Sequence, residues 1–434
     1  MTPDEFLASF GKFGIHLGLE RIAQLLADLG NPHQRFPVIH VAGTNGKGSV
    51  CAYISSILEM AGYRVGRYIS PHLVDWRERI CINSEWIASE DLLNALMQVK
   101  QAIQPQHPPT QFEAITAAAW WYFADRQVDV AVIETGLGGR LDATNVCDRP
   151  LVSVITSISM EHWQRLGSTL AAIASEKAGI IKPSCPVVIG ELPPEAAAVM
   201  LDKVEANHCP VTWVRAATEM QPTAFNSGST LDSSLENLAV WEGITYPLPL
   251  LGKHQLINSA IALGTIQTLR TQGWEIPESA VTEGMRRTQW LGRLQWVEYQ
   301  RFVGGQKRTH KLLIDGAHNV AAAEYLREFV DRIFPNQPRC WAIGMLDTKD
   351  HLGILKALLN PQDRLITVPV PFHQTADPEM LAKLGTTIVK ETPRAYPALE
   401  SGLDAAFCEY ESQHYPVILC GSLYLIGQFL SKAT

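Results

Sequence analysis

The side chains best suited to chemistry sit in loops that follow apolar runs. The first is Lys47, within VIHVAGTNGKGSVCAYISSIL, which reads as strand, tight loop and helix. In Gly43-Thr44-Asn45-Gly46-Lys47-Gly48-Ser49 the glycines let backbone N–H groups approach an anion closely. The following helix aims its positive end at the same point, and Lys47 adds a charge. A nucleotide phosphate fits such a loop; the alternative is a glycine-rich turn with a surface lysine. The strict pattern G-x-x-x-x-G-K-[ST] is broken twice, by Val41 at the first glycine and Gly48 at the hydroxyl.

Glu134 opens ETGLGGRLDATN after the buried-type strand VDVAVIETG. Ligands of open α/β sheets gather beyond the carboxyl ends of strands, so Glu134 is placed to meet whatever the first loop holds. Its carboxylate suits magnesium, and its alternative role is a cap. Gly138 and Gly139 serve a turn equally well. His162, in SISMEHW, lies beyond the next strand, where a lone histidine is more often structural than a ligand. Lys177, in ASEKAGI, sits near the far end of a helix and by position reads as a solvated lysine. Asp315 and His318, in IDGAHN, follow a later strand and could touch a nucleotide across a cleft or cap a helix.

These loops need strands and helices to hold them. VDVAVIETG and LVSVITSIS are continuous apolar runs, as in parallel strands buried on both faces. GYRVGRYIS and CPVVIG are further strands. SEDLLNALMQVKQAI reads as a helix capped by Ser89; FEAITAAAWWYFADRQ, TLAAIASEKAGII and HQLINSAIALGTIQTL are also helical. From Val211 to Leu250 the pattern loosens, and QPTAFNSGSTLDSS reads as loops and short strands. RLQWVEYQ alternates like a strand, VGGQKR supplies a turn, and a second strand–helix series runs from HKLLIDGAHN to YPVILCGS. The expected boundary between the two α/β domains lies near residue 298.

With 434 residues the chain needs two or three domains. A net charge of -8, with 18% charged residues, offers nothing to a nucleic acid or an anionic membrane. The amino-terminal stretch lacks the apolar core of a signal peptide, and no run approaches the ~20 apolar residues of a membrane span. The eight cysteines are scattered without C-x-x-C, which suits reduced thiols in a cytoplasmic protein.

Taken together, FGIHLGLERIAQLLADLGNP, HVAGTNGKGS, YISPHL, FEAITAAA, ETGLGGRLDATN, EHWQRLGSTLAAIASEKAGIIK, GKHQLINSAIAL, WLGRLQWVE, LIDGAHN and GSLYLIG occur in the order expected of folylpolyglutamate synthase / dihydrofolate synthase. The chain thus resembles that family of the Mur ligase superfamily from Phe13 to Gly427, most weakly over 186–250 and 330–410. The resemblance implies an α/β fold in two parts. Residues 1–297 would form a P-loop-type, mostly parallel sheet domain like the Mur ligase central domain. Residues 298–434 would form a smaller Rossmann-like ligase domain.

It also implies an ATP-dependent amide ligase that adds L-glutamate to dihydropteroate, to folates, or to both, as a cytoplasmic monomer. The phosphate loop would be a Walker variant. Ser70 and Glu134 would hold one magnesium ion, and Glu134 and His162 a second, with Lys177 carbamylated beside it. Asn258 and Arg293 resemble nucleotide contacts. Asp315 and His318 resemble the second domain's share of the ATP cleft, where either could orient or deprotonate the incoming amine. Ser422 resembles a further contact there. Phe112 and the loop around Trp76 are candidates for the pterin slot; Arg140 and Asp142 either meet polar edges of the substrate or pair with each other. Two departures are Glu161, where the family commonly has Asp, and Leu291-Gly292-Arg293, which lacks the family's proline.

A cell-wall ligase of the same superfamily would carry a UDP-binding domain before the phosphate loop, and the chain preceding Gly43 is too short for one. A non-catalytic nucleotide switch would have no need of Lys177 together with Lys47, Ser70, Glu134 and His162.

Overall fold

The apolar runs at 38–42, 130–134 and 152–155 lie side by side as parallel strands, every residue of each buried. The computed structural model describes residues 2–10, 18–220, 237–371 and 374–433. The start of the FGIHLG segment and the polar stretch 221–234 lie outside the described residues.

The chain divides into two compact units, Met1–Pro249 with His254–Gln289, and Leu250–Lys253 with Trp290–Thr434. The first holds eight strands in one sheet: β1 (Val38–Ala42), β2 (Val65–Tyr68), β3 (Ile80–Ile82), β4 (Glu85–Trp86), β5 (Val130–Glu134), β6 (Val152–Ile155), β7 (Val187–Ile189) and β8 (Val211–Trp213). Their order is β4-β3-β2-β5-β1-β6-β7-β8. Only the pairings of β3 with β2 and β4 are antiparallel. The loosened region after β8 forms a small antiparallel sheet of β9 (Thr218–Met220), β10 (Leu238–Trp241) and β11 (Ile244–Pro247).

Register determines which loops meet. Val41 stands beside Glu134, and Ala42 beside Ile155. The loops after β1, β5 and β6 therefore leave one edge of the sheet together. Chain-consecutive β5 and β6 lie on opposite sides of β1, which makes the crevice at β1 a topological switch point. One core layer packs helix Gln111–Asp125 beneath the sheet, and another packs helices Leu170–Ala178 and Pro194–Ala206. Gln111–Asp125 is buried on nearly all sides rather than along one stripe. The expected Ser89 cap is absent: Ala88 precedes that helix and makes no side-chain cap bond, because the helix takes Ser89 as its first residue.

In the second unit β12 (Gln295–Val303) and β13 (Gln306–Ile314) form a hairpin through Gly304 and Gly305, both at positive φ. The other strands are β14 (Cys340–Ile343), β15 (Arg364–Thr367), β16 (Arg394–Ala395) and β17 (Val417–Cys420), in the order β12-β13-β17-β14-β15-β16. All pair in parallel except the hairpin. A cut near residue 298 falls inside β12, whose full length pairs with β13; the unit that holds both strands takes in Leu250–Lys253 and Trp290–Thr434. Among the described residues, no helix is long and apolar enough to cross a membrane.

Candidate active site

The β1 loop turns sharply into helix Lys47–Met60, with Gly46 at φ 86 as its first cap. Both glycines before Lys47 are required by close approach. A Cβ on Gly43 would lie 1.9 Å from Thr156 Oγ1, and one on Gly46 would lie 2.3 Å from Asn258 Oδ1. Asn258 thus stands against the phosphate-type loop. The residues after β6 hold the loop's other side. The Thr44 N–H donates to the Ser157 carbonyl at 2.7 Å, the Asn45 N–H to Ser157 Oγ at 3.0 Å, and the Thr156 hydroxyl to the Asn45 carbonyl at 2.7 Å. Gln255 Nε2 donates to Ser49 Oγ at 3.3 Å, and Asn258 Nδ2 to Gln255 Oε1 at 3.1 Å. Gln255, Thr156 and Ser157 were not singled out from sequence. For Thr156 and Ser157 the signal is a polar run directly after a buried strand; Gln255 lies in helix His254–Thr271 and carries no such signal.

Charge converges on the Gly43 carbonyl. Lys47 Nζ donates to it at 3.1 Å and to the Thr44 carbonyl at 3.1 Å. Lys177 Nζ donates to it at 2.6 Å. Lys47 also faces Glu134, with Nζ 3.9 Å from Oε1, and Glu134 Oε2 accepts the Ser70 N–H at 3.3 Å. Lys177 is 4% exposed, so the solvated lysine read from its helical position is corrected: the helix end turns into the crevice. Burial first, then the Lys47 cation, lowers its pKa to about 7, while Glu161 and Asp142 pull the other way. His162 sits at positive φ with its side chain 45% exposed, 3.7 Å from Glu161.

The glycine-rich loop after Glu134 is fastened from inside. Asp142, 4% exposed, accepts the Leu137 N–H at 2.7 Å, the Thr144 N–H at 3.0 Å and the Thr144 hydroxyl at 2.6 Å. Arg140 is bonded to Glu176 at 2.8 Å, so Arg140 and Asp142 do not pair with each other. The Arg140 N–H also donates to the Glu176 carbonyl at 2.7 Å, and Asn145 Nδ2 donates to the Gly179 carbonyl at 3.1 Å. Gly139 and Gly179 permit this seam: a Cβ on Gly139 would lie 2.8 Å from the Glu176 carbonyl oxygen, and one on Gly179 would lie 2.3 Å from Arg140 Cα. Gly179→Ala is therefore expected to cost about 1–3 kcal/mol by overpacking. The check is the denaturant midpoint, and an unchanged midpoint refutes the tight seam.

Phe112 presses on the start of the same loop, since a Cβ on Gly136 would meet its Cζ at 2.4 Å. Trp76 lies 4.5 Å from the His72 ring, and the Arg79 guanidinium lies 4.4 Å from the Trp76 ring. Both aromatics are partly buried against the core.

In the second unit, Asp315 accepts the Leu294 N–H at 2.8 Å and the Ala317 N–H at 2.7 Å. Burial raises its pKa, with Arg293 the chief opposing charge. His318 Nδ1 faces the Gly316 carbonyl at 2.8 Å. A Cβ on Gly316 would meet Arg293 Nη1 at 2.2 Å, so these residues share one loop cluster. Ser422, 3% exposed, accepts the Tyr424 N–H at 3.2 Å at the start of helix Leu423–Ala433.

A lysine-bearing phosphate-type loop in a mostly parallel sheet, joined to a second α/β unit, defines a ligase of the Mur type. The family model described as Mur ligase middle domain matches residues 41–266, and that described as Dihydrofolate synthetase, C-terminal domain, matches 295–432. The chain is 36% identical to the probable dihydrofolate synthetase of Schizosaccharomyces pombe, covering 95% of this chain and 97% of that one. It is also 36% identical to the folylpolyglutamate synthase of Lacticaseibacillus casei, covering 93% and 92%. The structure of E. coli FolC in complex with DHPP and ADP matches with a TM-score of 0.81 at 30% identity, over 100% of this chain and 97% of that one. The chain belongs to the dihydrofolate synthase / folylpolyglutamate synthase family of ATP-dependent ligases.

Proposed function

We propose that this enzyme joins L-glutamate both to dihydropteroate and to the glutamate of a reduced folate, each time through an acyl phosphate. The observation that carries the reading is the convergence of Lys47 and Lys177 on the Gly43 carbonyl just beyond β1, with Glu134 facing Lys47. A carboxylate does not expel hydroxide, whereas an acyl phosphate is a good acylating agent. The substrate carboxylate attacks the γ-phosphorus of ATP and ADP leaves. The glutamate amine then attacks the acyl carbon and phosphate leaves. The chain's work is positioning and charge neutralisation. The amides of Gly43–Ser49 cradle the phosphates, Lys47 offsets their charge, and Asn258 holds the loop and the nucleotide. Arg293, Asp315, His318 and Ser422 are the second unit's proposed contacts. Phe112, with Trp76, is proposed for the pterin, and Arg140 for a polar edge. Asp142, spent on its own loop, is proposed to act through that loop.

Magnesium fits the donors present. Among the described residues no group of three or more His, Cys, Asp or Glu could hold a metal. Glu134 instead offers one buried carboxylate at the carboxyl end of β5, next to Ser70. That suits an ion that takes few protein ligands and completes its shell with phosphate oxygens and water. Ser70 and Glu134 would hold one ion, Glu134 and His162 a second; bound magnesium supplies charge neutralisation at the phosphates. Lys177 is proposed as a carbamate. Its lowered pKa favours the neutral amine, which adds carbon dioxide and loses a proton to give an anion with hard oxygens.

The use of both acceptors is supported by the equal identity to a dihydrofolate synthetase and a folylpolyglutamate synthase. The test is a product assay with ATP and glutamate, with dihydropteroate and a reduced folate monoglutamate in separate reactions. Both are expected to be glutamylated. Glutamylation of the folate alone, even at high enzyme concentration, refutes the dual activity, and no amide from either refutes the function.

A further inference from the structure

His40 is a histidine in the middle of a strand buried on both faces, where an aliphatic side chain would fit without polar cost. Its Nε2 lies 2.9 Å from Thr144 Oγ1, and the Thr144 hydroxyl donates to Asp142 Oδ1 at 2.6 Å. Exposures along this chain are 0% for His40, 0% for Thr144 and 4% for Asp142. A hydroxyl has one hydrogen, and Thr144 gives it to the carboxylate, so the hydrogen toward His40 must sit on Nε2. Nδ1 is then the lone-pair nitrogen, and it is buried with no hydrogen-bond partner. Burial, helped by the Lys182 cation, holds the imidazole down to about 3, so the ring is neutral.

The chain of bonds closes a circuit. From Asp142 it passes to the Leu137 N–H. The same loop is sewn to the end of helix Leu170–Ala178 by the Arg140 N–H on the Glu176 carbonyl and by Asn145 on the Gly179 carbonyl. That helix end carries Lys177, whose Nζ returns to the Gly43 carbonyl just beyond β1, the strand that holds His40. We propose that His40, acting through Thr144 and Asp142, is a positioning residue that sets Lys177 against the phosphate loop. The proposal rests on the ligase reading for its consequence in turnover. Its geometry stands apart from that reading.

Thr144→Val exchanges the hydroxyl for a methyl of equal size. The loop amides and Lys47 remain, so the KM for ATP is expected to stay within about twofold. The kcat is expected to fall about tenfold to a hundredfold, as small displacements of reacting groups do. Thr144→Ser keeps the hydroxyl and is expected to recover most of the rate. His40→Gln, which retains an amide donor, is expected to be faster than His40→Leu. The double variant His40→Leu/Thr144→Val is expected to be no slower than the slower single variant, because one relay is cut once. A Thr144→Val enzyme with wild-type kcat, or losses that multiply in the double variant, overturns the relay. Nitrogen resonances of 15N-histidine-labelled wild-type protein give a reading independent of activity: His40 is expected as the neutral Nε2–H tautomer between about pH 5 and 8. An Nδ1–H tautomer or an imidazolium overturns the proposal whatever the kinetics. If the wild type glutamylates neither acceptor, the ligase reading fails, and the tautomer still decides the relay.

Discussion

Lys47→Ala is expected to abolish turnover while the protein keeps its fold. Lys47 begins helix Lys47–Met60, and its ammonium is held by two loop carbonyls and faces Glu134, so it lies outside the apolar core. Alanine is a good helix former, and the cut removes no core packing. What it removes is the cation proposed to offset phosphate charge as bonds to phosphorus form and break. Single preorganised electrostatic groups are worth about 3–4 kcal/mol in the transition state, about a hundred- to a thousandfold in kcat. The measurement is single-turnover ADP formation at saturating ATP, alongside circular dichroism. A folded Lys47→Ala enzyme with an unchanged rate removes the phosphate-loop assignment.

Lys177→Ala is expected to fall to about a thousandth of the wild-type rate, and to recover in part with acetate or formate. An ammonium beside magnesium would be repelled, and this lysine already sits beside the Lys47 cation. With its pKa lowered to about 7, the neutral, nucleophilic amine is far more accessible at neutral pH than for an ordinary lysine. The carbamate it forms would bring oxygen ligands where the chain has few, and a short carboxylate can enter the space left by alanine. Lys177→Arg, which keeps a cation and adds no carbon dioxide, is expected to be as inactive as Lys177→Ala. Full activity in either variant refutes the role. A dead Lys177→Ala enzyme that no carboxylate revives leaves the carbamate without support.

Local signals carried much of the architecture. Continuous apolar runs mark β5 and β6 as buried parallel strands, and the glycines around Lys47 mark a tight strand-to-helix turn after β1. The turn at Gly304 and Gly305 was legible for the same reason, because turn chemistry is written in adjacent residues, whereas the hairpin it closes was not, since the expected boundary near residue 298 falls inside β12. Such runs and turns are properties of a residue and its near neighbours, which periodicity and backbone preference encode directly. The roles of particular polar side chains were not legible in this way. Lys177 reads from its helix as solvated, yet it is buried and bonded to Gly43, 134 residues away. Arg140 and Asp142 are close in sequence and look like a pair, yet one bonds Glu176 and the other is turned inward on its own loop. His40 meets Thr144 across 104 residues. Periodicity tells a side chain which face is buried but not what lies across from it. That was decided by the strand order β5-β1-β6 and its register, which bring three distant loops to one edge of the sheet, where their polar groups pair with one another and with the helix that carries Lys177.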